Sequence, residues 1–237
     1  MRGPLGAGWV DVGEWADAPP AAVVSESVAA TRAFFGPRAA GWDDRFPDDG
    51  PVYRRAVADL APRPGGRALD IGCGTGRALP ALRASVGPSG VVVGVDLTPE
   101  MVAEAVRRGR VGAAGVVIGD ALRLPLPPGS IDAVFAAGLF PHVTDTDAAL
   151  VELARVVPAG GRLALFHPIS RVALAARHGR RPEPDDPRAP HVLAPALART
   201  GWALVAFDDG ETRYFALAER LPVGRLGAAE PEGRMSQ

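Results

Sequence analysis

The chain has 237 residues, 47% of them apolar and 22% charged, with a formal net charge of −1. That length suits one α/β domain with a sizeable core, a single cysteine excludes an internal disulfide, and the near-neutral charge without a basic face argues against nucleic acid as a partner. No apolar run approaches the roughly 20 residues that span a bilayer, and Met1-Arg2-Gly3-Pro4 has no hydrophobic signal core, so no membrane span and a cytoplasmic location are expected.

Residues 1–20 are rich in Gly, Pro and Ala and read as a loosely held arm. A helix is expected over 25–35, with Ser25 placed to cap it and Gly36-Pro37 to stop it. The stretch from Trp42 to Gly50 is polar, aromatic and irregular, and 52–60 reads as the next helix. Ala68-Leu69-Asp70-Ile71 then forms a short buried strand. The glycines of Gly72-Cys73-Gly74-Thr75-Gly76 let the backbone turn tightly and approach a ligand. A helix over 77–85 tolerates Pro80 only in its first turn.

Val91-Val92-Val93-Gly94-Val95 is the second buried strand, with Asp96 at its carboxyl end. Thr98 caps the following helix, Pro99 sits in its first turn, and Met101, Val102, Ala105 and Val106 form its apolar face. The third strand is expected over 116–119, and the fourth from Ser130 to Ala137-Gly138-Leu139. Asp145 or Thr146 starts a helix in which Leu150, Leu153, Ala154 and Val157 recur at helical spacing. A fifth strand ends at His167. Residues 168–190 interrupt the rhythm, 191–200 resume as helix, and strands over 203–207 and 212–217 flank the turn signal Asp209-Gly210. Strands alternating with amphipathic helices predict a parallel, doubly wound sheet.

An acid at the end of the second strand is placed to accept hydrogen bonds from both hydroxyls of a ribose, so a nucleoside-containing ligand is implied. The spacing decides which. A dinucleotide site uses G-x-G-x-x-G beside a pyrophosphate. Here the third glycine comes one residue early, Arg77 fills the remaining position, and Asp70 would repel a pyrophosphate while suiting a cationic amino-acid moiety. D-x-G-x-G-x-G followed by V-x-G-V-D resembles the S-adenosylmethionine (SAM) site of class I methyltransferases. Further along, Gly119-Asp120-Ala121, Ser130-Ile131-Asp132-Ala133-Val134 and Pro158-Ala159-Gly160-Gly161-Arg162-Leu163 match the family in order. The resemblance covers about 52–220 and is greatest to the small-molecule enzymes of ubiquinone and menaquinone biosynthesis.

The resemblance implies a Rossmann-like, mostly parallel, seven-stranded sheet closed by an antiparallel hairpin, with amino-terminal helices covering the site. It also implies an arm and lid over 1–50, a SAM-binding domain over 51–220 with the 168–190 insertion near the substrate side, and a disordered tail over 221–237. On it, SAM is the cofactor, S-adenosylhomocysteine the product and a small molecule the acceptor. The oligomeric state stays open between monomer and homodimer.

Residue by residue, the resemblance places Asp70 near the methionine amino group and builds the pocket from Gly72, Cys73, Gly74 and Gly76. It puts Asp96 on the ribose, Leu97 and Met101 beside the adenine, Asp120 and Ala121 at the adenine edge, and Ala137 at the end of the fourth strand. Cys73 reads as packing, not as a nucleophile. His142 and His167 follow strands whose carboxyl ends border the transferred methyl, and either is a candidate base. Trp42, Phe46 and Phe140 are candidates to line the acceptor pocket. Arg171, Arg177 and His178 in the insertion are candidates to meet an acidic substrate, but such charges read mainly as a solvated face. No metal-ligand spacing joins the four histidines.

Two other readings are open to the sequence. One is an NAD(P)-dependent oxidoreductase, disfavoured by Arg77, Asp70 and the absence of any lysine. The other is a SAM-binding partner protein without turnover. Amino-methylases of DNA and protein glutamine carry an Asp/Asn-Pro-Pro-Tyr/Phe tetrapeptide, and Ala137-Gly138-Leu139-Phe140 stands in its place.

Overall fold

The computed structural model describes residues 26–45, 49–112, 114–177 and 179–222. Five parallel strands form its centre: β1 (Arg67–Ile71), β2 (Val91–Asp96), β3 (Gly115–Ile118), β4 (Ala133–Ala137) and β5 (Arg162–His167). The strands β6 (Trp202–Asp209) and β7 (Tyr214–Arg220) complete a seven-stranded sheet in the order β3-β2-β1-β4-β5-β7-β6. β7 runs antiparallel to both β5 and β6, so the hairpin closes one edge as expected.

Central strands of a parallel sheet are covered on both faces and read as apolar runs. Alternation along each strand separates the two cores. Leu69, Val134, Leu163 and Leu165 face one side and pack with α5 (Thr146–Val156) and α7 (Pro190–Arg199). Ala68, Phe135, Ala164 and Phe166 face the other, against α2 (Gly50–Leu60) and α3 (Leu79–Val86). Trp202 is fully buried in the first core, where its indole N–H donates to the Leu150 carbonyl at 3.0 Å.

Strand order reverses beside β1, where β2 lies to one side and β4 to the other. In open α/β sheets such a switch point opens a crevice at the carboxyl ends of the strands. The glycine turn leaves β1 there, α4 (Pro99–Arg107) begins after β2, and α1 (Glu26–Phe35) lies over the same end.

Several boundaries differ from the sequence reading. The helix expected from Arg77 starts at Leu79, because Arg77 turns away to pair with Asp49 of the covering segment. Pro80 does fall in the first turn. β4 starts at Ala133 because the Asp132 carboxylate accepts from the backbone and side chain of Arg67, while the Ser130 hydroxyl donates to Pro127 in a turn. Thr98 occupies the N-cap position of α4 without a side-chain cap, whereas Asp145 caps α5 by accepting from Ala148 at 2.9 Å. The insertion folds a short helix, α6 (Arg171–Arg177). Ser25, the 1–20 arm and residues 223–237 lie outside the described residues.

Trp202 combines full burial with a satisfied donor. Replacing it with Ala is expected to destabilise the fold by about 3–5 kcal/mol, read as a lowered urea midpoint with a chain that still binds its ligand when folded.

Candidate functional site

The carboxyl ends of β1 and β2 stand level, since Ile71 pairs with Val95. The amides of Gly72 and Cys73 therefore both reach the Val95 carbonyl, at 2.8 and 3.0 Å. Asp96 completes the link. Its Oδ2 accepts from the Gly74 amide at 2.7 Å and its Oδ1 from the Thr98 amide at 2.8 Å, so one carboxylate joins the glycine turn to the start of α4. Burial raises the Asp96 pKa, and those amide bonds oppose the rise. A carboxylate has about four lone-pair sites, so it retains acceptor capacity for a ligand.

Gly74 adopts φ +52°, and a Cβ there would meet nothing within 4 Å, so the turn is open on that side. Gly72 is constrained differently: its Cβ would lie 2.9 Å from Leu139 Cδ1. Leu139 follows β4, so the glycine turn and the β4 loop touch through this side chain. Gly76 packs toward Ala105 of α4 and Leu79 of α3. The Cys73 thiol is buried, and burial together with Asp70 and Asp96 pushes its pKa up, leaving it a packing group.

Asp70 is 1% exposed, and neither carboxylate oxygen has a hydrogen-bond partner in the structure. Burial, with a further contribution from the Asp96 charge, pushes its pKa up to about 8. Buried polar groups are ordinarily paired. A buried acid left without a partner beside a glycine turn departs from that rule, as groups at functional sites often do.

Met101 is buried and Leu97 half-buried, and the Leu97 carbonyl accepts from Arg32 Nε of α1 at 2.9 Å. Asp120 caps its own turn, with Oδ1 accepting from the Leu122 amide at 2.9 Å, and Ala121 packs against the core beside it. Ala137, half-buried, ends β4.

After β4 a 3-10 turn spans Phe140–His142. Phe140 is buried in the core, where it also lines a narrow cavity. His142 keeps an exposed edge and packs edge-on against Phe35 of α1, with ring centroids 4.9 Å apart. Phe35 also meets Trp42 at 5.4 Å, so it draws His142 and Trp42 into one corner. Desolvation lowers the His142 pKa. His167, half-buried at the end of β5, has Nδ1 3.1 Å from the Ile169 carbonyl oxygen. Burial pushes its pKa down to about 4, and Arg188, Arg177 and His142 act in the same direction. Phe46 and His178 lie outside the described residues.

Other site residues escaped the sequence reading. Asp43 of the covering segment accepts from the Thr75 hydroxyl at 2.8 Å and pairs with Arg110 at 2.5 Å and Arg108 at 3.3 Å. Arg77 pairs with Asp49 and lies over the Tyr53 ring. The cover is thus fastened to the glycine turn by ion pairs. Arg171 is not a solvated charge: it pairs with Asp209 at 2.8 Å and has a side chain 14% exposed. Arg188 closes the far wall of the narrow cavity. The polar, aromatic composition of 42–50 and the charges of the insertion were the available signals, but neither names a partner.

The chain matches a methyltransferase domain model over residues 69–165. It is 37% identical over 176 residues to the demethylmenaquinone methyltransferase of Roseiflexus sp. (strain RS-1), a match covering 64% of this chain and 74% of that one. It is 41% identical over 126 residues to the nocamycin O-methyltransferase of Saccharothrix syringae, covering 50% and 44%. Several curated relatives are spanned for only a third to a half of their length. A SAM-dependent methyltransferase from Aquifex aeolicus shares the fold, with a TM-score of 0.58, 21% identity and coverage of 82% of this chain and 98% of that one. The chain belongs to the class I SAM-dependent methyltransferases. Among the described residues, no helix is long and apolar enough to cross a membrane.

The raised pKa of Asp70 has a consequence for stability. Between 3.8 and about 8 the folded chain holds a proton that the unfolded chain lacks. Its contribution to stability therefore falls as pH rises through this window, by at most about 1.4 kcal/mol per pH unit. His167 acts with the opposite sign, but only between about 4 and 6.5. From pH 6.5 to 8 the ligand-free wild type is expected to lose stability relative to Asp70→Asn, as read by urea denaturation. Parallel pH profiles for the two proteins count against a buried, protonated Asp70.

Proposed function

We propose that this chain transfers a methyl group from SAM to a small-molecule acceptor by in-line displacement. The observation that carries the reading is the buried, unpartnered Asp70 carboxylate beside the glycine turn, which suits the ammonium of the cofactor's methionine moiety. The two curated relatives named above are both named for small-molecule acceptors, which supports that class.

When bound, the cofactor supplies a methyl group on a sulfonium, a reactive electrophile that leaves the protein chiefly positioning to do. Gly72, Cys73, Gly74 and Gly76 would cradle the methionine moiety and Asp96 the ribose hydroxyls. Leu97, Met101, Asp120 and Ala121 would enclose the adenine, with Ala137 beside the reacting end. Trp42 and Phe140 would shape the acceptor side and exclude water.

A base is required only when the acceptor must lose a proton. His142 is the better placed of the two rings for that role. A base works best with a pKa near the operating pH, and His167 at about 4 is too weakly basic at neutral pH. His167 serves instead as a neutral hydrogen-bonding wall.

Calorimetry is expected to show micromolar binding of SAM and S-adenosylhomocysteine and none of NAD(H) or NADP(H). Asp96→Ala should weaken cofactor binding by about 2 kcal/mol or more, since charge-assisted bonds to the ribose and the hold on Gly74 vanish together. Wild-type affinity in a folded Asp96→Ala chain would falsify that role.

For an acceptor that must be deprotonated, His142→Gln should lower kcat about a hundredfold with cofactor affinity unchanged. The base must be neutral to act, so activity rises with pH through its pKa, and the acid limb should lie below 6.5. A limb near pH 4 assigns the role to His167 instead. If kcat and KM stay the same in both His142→Gln and His167→Gln, neither ring belongs to the site.

A further inference from the structure

The narrow cavity at the carboxyl ends of β4 and β5 measures about 20 Å³ and is lined by Gly138, Leu139, Phe140, His167, Arg188 and Tyr214, among others. Leu139 links its wall to the glycine turn, since Leu139 Cδ1 lies only 2.9 Å from where a Gly72 Cβ would be. Its wall is mostly apolar, and Arg188 is its one permanently charged side chain.

Arg188 is held from several directions. Its amide, Nε and Nη2 all donate to the Asp186 carboxylate, at 2.8, 3.0 and 2.9 Å. Its carbonyl accepts from the buried Tyr214 hydroxyl at 3.1 Å. The guanidinium therefore cannot swing out to solvent without breaking this set. The remaining nitrogen, Nη1, is buried and has no hydrogen-bond partner in the structure.

A buried cationic donor without an acceptor is costly and calls for a partner. Asp186 is shared with Arg171, 3.9 Å away, and Arg171 is itself paired with Asp209, so the two carboxylates are already engaged. Arg188, Arg177 and His142 act on His167 at the same cavity, while Tyr214, also in its lining, feels the carboxylates Asp186 and Asp209 as well as Arg188 and Arg171. What distinguishes the cavity is therefore a guanidinium with one unmet donor nitrogen on an otherwise apolar wall.

We infer that Arg188 binds an anionic oxygen, a carboxylate or phenolate, on an otherwise apolar methyl acceptor, with Nη1 as donor and the β4 loop carrying the apolar skeleton. The inference rests on the methyltransferase reading and names the acceptor class of that site. Anionic recognition at one end and an apolar wall toward Leu139 would orient the acceptor with its reactive atom toward the glycine turn.

The test is calorimetry with the full chain, with and without saturating S-adenosylhomocysteine. The probes are aryl carboxylic acids paired with their methyl esters, and nitrophenols, ionised at the working pH, paired with their methyl ethers. At least one anion should bind ten-fold or more tightly than its neutral partner, and the successful pair distinguishes carboxylate from phenolate. Arg188→Gln should erase that preference while S-adenosylhomocysteine binding stays as in wild type, and Arg188→Lys should retain part of it. Equal binding of anion and neutral partner by the wild type, or no binding by any anion, overturns the inference without reference to any variant. So does an Arg188→Gln chain that keeps the preference. If the wild type fails to bind S-adenosylhomocysteine, the methyltransferase reading fails instead, and the anion preference measured in its absence still decides the role of Arg188.

Discussion

The Asp96 carboxylate is the point on which the site depends. One oxygen holds the glycine turn through Gly74 and the other holds the start of α4 through Thr98. The Thr98 bond is local, but the Gly74 bond crosses from one strand end to the other and needs β1 and β2 to end level, an alignment set by the Ile71–Val95 pairing. The turn's shape is thus imposed by strand register and fixed by one acid. Because the same acid is proposed to meet the ribose, the group that organises the cradle also reads its occupant.

Around this fixed point the electrostatics are left unbalanced in two places. Asp70 is a buried acid without a partner, and Arg188 is a buried base with one nitrogen unmet. Each lies where a fully paired network would have been more stable, a departure expected at functional sites. Leu139 packs at Gly72, two positions after Asp70, and also lines the cavity that Arg188 lines.

Much of this was legible in the sequence, because the signals are local. Buried strands appear as apolar runs, and the glycine turn and the acid closing β2 lie within one βαβ unit. The hairpin was marked by Asp209-Gly210. Boundaries failed where a side chain overrode propensity: Arg77 left its helix for Asp49, and Asp132 turned from the strand to hold Arg67. The acceptor side was illegible for a different reason. Asp43 meets Thr75 across 32 positions, and Phe35, His142, Arg188 and Tyr214 come together only through tertiary packing. No periodicity encodes such meetings. Arg188 was hidden further by standing among the many arginines of a chain whose 26 basic residues are all arginine.

Asp43 belongs to the cover, yet its carboxylate fastens Thr75 of the glycine turn and Arg110 beyond α4. The covering segment, proposed to face the acceptor, is therefore built into the turn proposed to hold the cofactor. Neighbours of Asp43 that make no such contact could be exchanged, but Asp43 itself is tied to the glycine turn. Exchanging covers between relatives would succeed only where this acid, or another in its place, travels with the exchanged segment.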